Sequence, residues 1–246
     1  MSAGRTVESP LAPRGASPAI PPSQTDDAVE RLLLRDTQDE IRRHVSEIVR
    51  LSKGVMPPEE FLSAFLQRVT AALASRAGAV WQMTEAGDGR IVAETQLNSA
   101  KLDTVVNAPA HRDLINAAAR STMPIALAPH TTTSDQESGN PTDHLLLLTP
   151  IVVHDRVVGM VEVFQRADRG PATERGYQRF LTEMAEVASH YLAAHQWRQM
   201  EQRQQFWHQL EGFLDTIHRT LDVRRTSFAV VNEARRLLEC DRISLV

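Results

Sequence analysis

The chain has little cysteine and little lysine. Cys240 is the single cysteine among 246 residues, so no internal disulfide can form, and a reducing compartment such as the cytoplasm is favoured. Lys53 and Lys101 are the only lysines, and a net charge of -4 leaves no basic excess to neutralise nucleic-acid phosphates. No apolar run approaches the roughly 20 residues that span a bilayer, and residues 1–25 lack a signal-peptide core. We therefore expect neither nucleic acid nor membrane contact.

Motifs that carry catalysis or hold a metal ion are also missing. The sequence contains no phosphate-binding Gly-x-x-x-x-Gly-Lys-Ser/Thr loop, no Gly-x-Ser-x-Gly nucleophile turn and no His-Glu-x-x-His metal motif. His190 and His195 are five residues apart, so they do not share a helix face as a metal-binding pair would. These absences predict a chain that is not an enzyme, with no catalytic and no metal site, and they leave any cofactor unknown.

Two apolar runs, which lie between Leu145 and Phe164, dominate what is present. The polar dipeptide His154-Asp155 separates them, and both runs are rich in valine, isoleucine and leucine. Residues of these types around a two-residue turn are typical of an antiparallel hairpin at the centre of a sheet. Within the second run, Gly159 indicates close packing against the sheet or a β-bulge.

Other segments surround this hairpin. Residues 1–26, rich in proline, serine and alanine, predict a disordered leader. The remaining patterns predict a helix over 27–54, a second helix over 58–75, a hairpin of 79–83 with 90–95, a helix over 109–121, a short strand over 124–128 and a mobile polar loop over 129–143.

A long exit helix is predicted over 174–221. Its first apolar seam consists of Tyr177, Leu181, Met184, Ala188, Tyr191 and His195, and a second, out of phase with it, consists of Trp207, Leu210, Leu214, Ile217 and Leu221. Spacings of four and three are typical of a two-helix coiled coil, and the polar break between the seams is a place where a signalling helix can twist. The alternative is one amphipathic helix that packs its early part on its own domain and its later part on something else.

The C-terminal residues repeat an earlier pattern. When residues 64–82 are laid over residues 228–246, Leu73 falls on Leu237 and Trp81 falls on Leu245, so a helix followed by a strand recurs. We therefore expect a truncated second copy over 222–246 and a longer parent protein. Cys240, at the end of this helix, fits a small core side chain.

The order of these elements resembles the GAF domain family over about Pro57 to Ala194. The residues that carry the resemblance are Thr149–Val163, with their Val-Val-Gly-Met-Val-Glu-Val run, followed by Phe180-Leu181 and Ala185–Ala188. The resemblance implies an α+β fold in which helices flank both faces of an antiparallel sheet of five or six strands, over residues 57–195. It also implies a small-molecule pocket, or a degenerate one, and homodimerisation through the flanking helices.

Two ligand classes of that family find no support. The Asn-Lys, Phe and Asp-Glu set of cyclic-nucleotide-binding members is missing, and Cys240 lies outside the segment where covalent bilin carriers hold their pocket cysteine. Tandem GAF regions in bacteria precede outputs as different as histidine kinases and efflux adaptors, and no residue here selects one.

Five residues are candidates for lining a pocket: Trp81, His111, Thr131, Asp135 and His144. Thr131 and Asp135 belong to the polar loop, and loops on a rigid scaffold often meet ligands. Trp81 also fits core packing, and His144 also fits a strand end whose ring is satisfied by solvent or backbone. The leading hypothesis is a non-catalytic sensor that relays helix rearrangement to a C-terminal output. The alternative is a structural dimerisation module without ligand, as in a signalling protein or an efflux-adaptor-type protein.

Overall fold

The structure, a computed structural model, describes residues 24–84, 87–132, 139–218, 227–228, 230–232, 234–235 and 241–243. The expected leader, except for its last three residues, lies outside this range, as do Asp135 and Cys240. The chain divides into two compact units between Glu40 and Ile41, and the second unit contains the sheet.

Helices and strands follow one another in groups along the described chain. The helices are α1 (Gln24–Ser52), α2 (Pro58–Ala72), α3 (Asp103–Val106), α4 (Pro109–Ala118) and α5 (Pro171–His218). The strands are β1 (Ala77–Met83), β2 (Gly89–Thr95), β3 (Ile125–Leu127), β4 (Thr131–Thr132), β5 (Gly139–Asn140), β6 (His144–Val153) and β7 (Arg156–Arg166). The loop expected over 129–143 thus contains the short β4–β5 ribbon, and α1 begins three residues before the expected start.

A five-stranded antiparallel sheet in the order β2-β1-β7-β6-β3 forms the centre of the domain. The predicted central hairpin is confirmed as β6 and β7, which pair from His144–Arg166 to Val153–Arg156. His154 and Asp155 connect them with φ of 50° and 60°, the positive values that type I′ hairpin turns require.

The two faces of the sheet support separate apolar cores. One core joins alternate strand residues such as Val161 and Val163 to α2, α5 and the last turns of α1. The other joins Met160 and Phe164 to α3 and α4. Because successive strand residues point to opposite faces, the near-continuous apolar runs of β6 and β7 fill both cores. The expected fold class, with helices on both faces, is therefore confirmed.

Gly159 lies in β7 opposite Gln82 of β1, with the backbone of β1 close to its Cα. A Cβ atom at this position would lie 2.8 Å from the backbone carbonyl oxygen of Trp81, a separation that the backbone cannot tolerate. On its other side, Gly159 pairs with Ile151 of β6, and the β6–β7 register shifts between Ile151 and Val152. Of the two alternatives for this glycine, close packing is thus confirmed, and the register shift lies next to its partner Ile151.

The first apolar seam of α5 packs against its own domain. Leu181, Met184, Ala188 and Tyr191 are buried in the core that α2 shares with the sheet. Their interpretation as a two-helix seam is wrong, because the face that would meet a partner helix already covers the sheet. The alternative of one amphipathic helix describes this half of α5. In the second seam, Trp207 and Leu214 remain exposed by 61% and 44%.

Tyr191 links α5 to the segment before α2. Its ring stacks on Phe61 at 3.7 Å between centroids, and its hydroxyl donates a hydrogen bond to the backbone carbonyl of Met56. Burial raises the pKa of this phenol above 10.0, with Arg198 lowering it and Glu60 raising it to smaller extents. The folded protein therefore favours the neutral phenol more than the unfolded chain does.

The raised pKa of Tyr191 makes stability depend on pH above about 10. Its contribution is complete below the unfolded pKa of 10.0 and is lost as the pH rises through the higher folded pKa. Tyr191→Phe removes one hydrogen bond, so we expect a loss of about 1 kcal/mol at neutral pH. Urea unfolding at neutral pH and above pH 10 should show a smaller alkaline loss in Tyr191→Phe than in the wild type. Tyr177→Phe, on the same helix, is the control, and an equal alkaline loss in both variants would contradict the assignment.

The second GAF-like copy over 222–246 stays a prediction. Phe228 lies in a helical stretch, as the repeat requires, but Asp241–Ile243 have no strand structure, and residues 244–246 lie outside the description. Within the described residues, none of the helices combines the length and apolar character needed to cross a bilayer.

Candidate functional site

A buried glutamate lies on the face of the sheet that α4 covers. Glu162, in β7, has no solvent exposure, and its neighbours across the strands are Ala79 and Leu148. Its Oε2 accepts a hydrogen bond from Trp81 Nε1, 2.8 Å away, and its Oε1 lies 2.6 Å from His111 Nε2. A buried carboxylate is costly unless hydrogen-bonded, and here both oxygens have a partner.

His111 reaches this carboxylate from α4. The helix begins at Pro109, where a missing N–H costs nothing, and its buried face consists of His111, Leu114, Ile115 and Ala118. The imidazole lies between the rings of Trp81 and Phe164, with centroids at 6.0 Å and 6.4 Å. Its Nδ1 is buried and has no hydrogen-bond partner among the described residues.

A cavity of about 520 Å³ opens beside His111. It lies between α3, α4 and the β4–β5 ribbon. Its lining residues are Thr104, Val105, Ala108, Ala110, His111, His130, Thr131, Gly139, Asn140 and Pro141. This volume lies within the range of about 300–1,000 Å³ that is typical of small-molecule sites.

Asn140 fixes the wall of this cavity. Its side chain is fully buried, and its Nδ2 donates to the backbone carbonyls of Leu127, Ala128 and His144. Its Oδ1 accepts hydrogen bonds from the backbone N–H and the hydroxyl of Thr142. The amide therefore holds the polar segment before β6 against β3.

The structure brings together some of the residues proposed from sequence. His111 and Thr131 line the cavity. Trp81 is not a lining residue, but its indole is hydrogen-bonded to Glu162, the glutamate that also contacts His111. His144 is half-buried at the start of β6 and is not among the lining residues, although its carbonyl binds Asn140. Asp135 lies outside the described residues.

Sequence reasoning missed Glu162 and Asn140. A signal for Glu162 existed, because a glutamate inside the apolar run Met160–Phe164 of a strand buried on both faces must find a polar partner. Asn140 had no such signal, since asparagine in a polar loop is ordinary turn chemistry. Across the described part of the chain, no three His, Cys, Asp or Glu side chains cluster closely enough to hold a metal ion.

Comparisons with known proteins agree with this architecture. The family model described as GAF domain matches residues 57–194. The chain is similar to the GAF domain of A. aeolicus nlh2 in an inactive state, with 14% identity, a TM-score of 0.51 and coverage of 65% of this chain and 99% of that chain. It is also similar to the photosensory core module of Stigmatella aurantiaca phytochrome, with 13% identity and a TM-score of 0.54. That alignment covers 84% of this chain and 46% of the phytochrome chain.

No curated protein matches the chain in sequence. Identities this low make the two structural likenesses informative about the fold alone. The family match establishes more than the fold, because it covers more than half of the 246 residues. It includes α2, the whole sheet and the buried half of α5. The chain therefore belongs to the GAF domain family.

Proposed function

We propose that this domain is a non-catalytic regulatory module that binds a small molecule in the cavity beside His111. The observation that carries the proposal is a cavity of about 520 Å³ with His111 in its lining, whose ring contacts the buried Glu162 of the sheet. A purely structural module would fill this face with its own side chains. A few convergent polar groups on an otherwise apolar wall are typical of ligand sites.

The proposed signal travels through the sheet to α5. Glu162 joins the cavity residue His111 to Trp81 in β1, and β7 leads directly into α5. The buried half of α5 packs on the opposite face of the same sheet. A shift of β7 would therefore change the packing of this helix. We infer that ligand binding changes the geometry of α5, which would pass the change to a C-terminal output domain in the cytoplasm.

A substitution at the mouth of the cavity tests the binding proposal. Ala110 is exposed in α4 and lines the cavity, so Ala110→Trp should fill part of it. We expect metabolites that raise the melting temperature of the wild-type protein to lose most of that effect in Ala110→Trp, as measured by a thermal-shift screen. Ala172→Trp is the matched control, because Ala172 is also exposed and also follows the proline that opens a helix. Hits that stabilise Ala110→Trp as strongly as Ala172→Trp would contradict the proposal.

We also propose that the exposed half of α5 forms a homodimer. Trp207, Leu210 and Leu214 follow the three-four spacing of a two-helix seam, and Trp207 and Leu214 are exposed in the single chain. Exposed aromatic and aliphatic residues at this spacing are typical of helix partners rather than of a solvated helix.

A charge placed in this seam should separate the protomers. We expect Trp207→Asp to weaken dimerisation at least tenfold, because an unpaired carboxylate would be buried in the apolar seam. Gln205→Asp, on the same exposed stretch, is the control and should remain a dimer. Light scattering coupled to size-exclusion chromatography measures both. A wild-type protein that is monomeric at micromolar concentration, or a Trp207→Asp variant that dimerises normally, would contradict the proposal.

A further inference from the structure

We propose that the protein has a second small-molecule site, on the face of the sheet opposite His111, which binds an α-amino acid with an aliphatic side chain. This site shares no lining residue with the cavity beside His111, so the inference goes beyond the proposed function. Three features carry it: the position and size of a second cavity, the aliphatic side chains at its floor and the two opposite charges at its rim.

The second cavity lies where α2, the sheet and α5 meet, and its volume is about 250 Å³. Its lining residues come from α2, from the strands β1, β2, β6 and β7, and from α5. Leu192 and Gln196 line it from α5, between the buried Tyr191 and the exposed Trp197. The volume is below the range of about 300–1,000 Å³ that is typical of sites for drug-sized ligands. The occupant is therefore a small metabolite rather than a nucleotide.

The floor of this cavity is aliphatic. It consists of six side chains that belong to the core shared by α2, α5 and the sheet: Leu62, Val80, Val92, Ile151, Val158 and Leu192. Val92, Val158 and Leu192 are only half-buried, so part of their apolar surface remains accessible. A ligand with an aliphatic group that covers this surface gains the free energy of burying apolar area.

The rim of the cavity carries one positive and one negative charge. It consists of the exposed polar side chains of the lining, namely Glu59, Gln82, Arg90 and Gln196. Arg90 Nη2 lies 3.9 Å from Glu59 Oε1, too far for a hydrogen bond, and the two side chains are 63% and 75% exposed. An exposed ion pair of this kind contributes little to stability, so a ligand can come between the two charges at small cost.

Both charges of the rim have hydrogen-bonding capacity left for a ligand. Gln82 holds Arg90 in position, because its Oε1 accepts from Arg90 Nε at 3.1 Å and from Arg90 Nη2 at 2.7 Å. Within the described chain, Arg90 Nη1 and the Glu59 carboxylate form no hydrogen bond. A ligand carboxylate beside Arg90 and a ligand ammonium group beside Glu59 would each form a charge-assisted hydrogen bond.

An α-amino acid matches the rim and the floor at the same time. Its ammonium and carboxylate groups are attached to one carbon atom, so they lie close together, as Arg90 and Glu59 do. Its side chain projects from the same carbon atom and can cover the aliphatic floor. A carboxylic acid without an amino group would offer nothing to Glu59, and an amine without a carboxylate would offer nothing to Arg90. An occupied site would join α2, the sheet and α5 where α5 leaves the core.

Four probes that differ by one group test this assignment. L-leucine carries both charges and an aliphatic side chain, 4-methylpentanoate lacks the ammonium group, 3-methylbutylamine lacks the carboxylate, and glycine lacks the side chain. Each is titrated into the 15N-labelled chain of residues 1–246, and the dissociation constant is taken from shifts of the backbone amide signals of Gln82 and Gly159, which line the cavity. We expect L-leucine to bind about tenfold more tightly than each of the other three.

Substitutions at the rim assign each ligand charge to its residue. In Arg90→Gln, L-leucine should bind about tenfold more weakly, whereas 3-methylbutylamine, which has no carboxylate, should bind as it does to the wild type. In Glu59→Gln, L-leucine should also bind more weakly, whereas 4-methylpentanoate should be unaffected. Glu60→Gln is the matched control and should leave the affinity for L-leucine unchanged, because Glu60 is an exposed glutamate of the same helical turn that does not line the cavity.

The outcomes separate this site from the cavity beside His111. Equal binding of L-leucine and either singly charged probe would overturn the assignment to an amino acid, and equal binding of glycine would overturn the role of the aliphatic floor. Loss of L-leucine binding in Ala110→Trp would place this ligand in the other cavity and overturn the second site. Failure of L-leucine to shift Gln82 and Gly159 at millimolar concentration would overturn the inference and leave the proposed function in place.

Discussion

Glu162→Ala lowers the free energy of unfolding by about 3–5 kcal/mol, because it removes a buried side chain that forms two hydrogen bonds in the core. The substitution leaves Trp81 Nε1 and His111 Nε2 without their hydrogen-bond partner inside the core. It also opens a void, because Glu162 has no solvent exposure. Urea denaturation followed by circular dichroism measures the effect.

Two companion variants show whether this loss comes from the hydrogen bonds. Glu94→Ala removes an exposed glutamate from β2, and we expect it to change stability by less than about 0.5 kcal/mol. Glu162→Gln preserves the shape of the side chain and should cost clearly less than Glu162→Ala. If Glu162→Ala were as mild as Glu94→Ala, the buried network described for His111 and Trp81 would be wrong.

Gly159→Ala lowers the free energy of unfolding by about 1–3 kcal/mol, although alanine suits a β-strand better than glycine does. The new Cβ would meet the Trp81 carbonyl oxygen at 2.8 Å, and that atom belongs to the backbone of β1. The strands must therefore move apart at the centre of the sheet. The same denaturation experiment measures this loss.

Gly176→Ala is the matched control for this prediction. Gly176 lies in α5, and a Cβ at that position meets no atom within 4 Å. Because alanine favours helices by about 1 kcal/mol over glycine, this variant should be slightly more stable than the wild type. Stabilisation of both variants would show that β1 and β7 do not approach each other closely at Gly159.

The fold could be predicted where the sequence is strongly patterned. The apolar runs around His154-Asp155 had one consistent interpretation, because β-branched residues and a two-residue turn agree with the same hairpin. The helix at Pro109 and the strand before Pro129 were also predicted, and both are present as α4 and β3. The family resemblance supplied what periodicity alone does not give, namely one antiparallel sheet of five or six strands with helices on both faces.

The first seam of α5 shows the limit of periodicity. A stripe at spacings of four and three describes both a helix that packs on a sheet and a helix that packs on another helix. Leu181 and Ala188 fit either case, and only their burial against the sheet decides between them. The second seam follows the same spacing but is not buried in the single chain, so that its packing on a second copy of the chain is a proposal.

The site was predictable only in part. His111, Thr131 and Trp81 were chosen for their residue types and their positions along the chain, whereas the bond that joins His111 to Trp81 depends on Glu162 in a distant strand. The contact of Glu162 with His111 joins residues 51 positions apart, and its contact with Trp81 joins residues 81 positions apart. Such contacts depend on strand order and register, which local patterns do not determine. Asn140 was missed for another reason, because an asparagine in a polar loop is ordinary turn chemistry and carries no signal of its own.

Hydrogen exchange of the three tryptophan indole N–H groups tests the buried network most directly. The account predicts that the Trp81 indole proton, which is donated to a fully buried carboxylate, exchanges orders of magnitude more slowly than those of Trp197 and Trp207, whose side chains are 64% and 61% exposed. In the 15N-labelled chain of residues 1–246, Trp81→Phe assigns the protected signal. Rapid exchange of all three indole protons in the folded protein would contradict the account, because Glu162 could not then be joining His111 to Trp81 in the core.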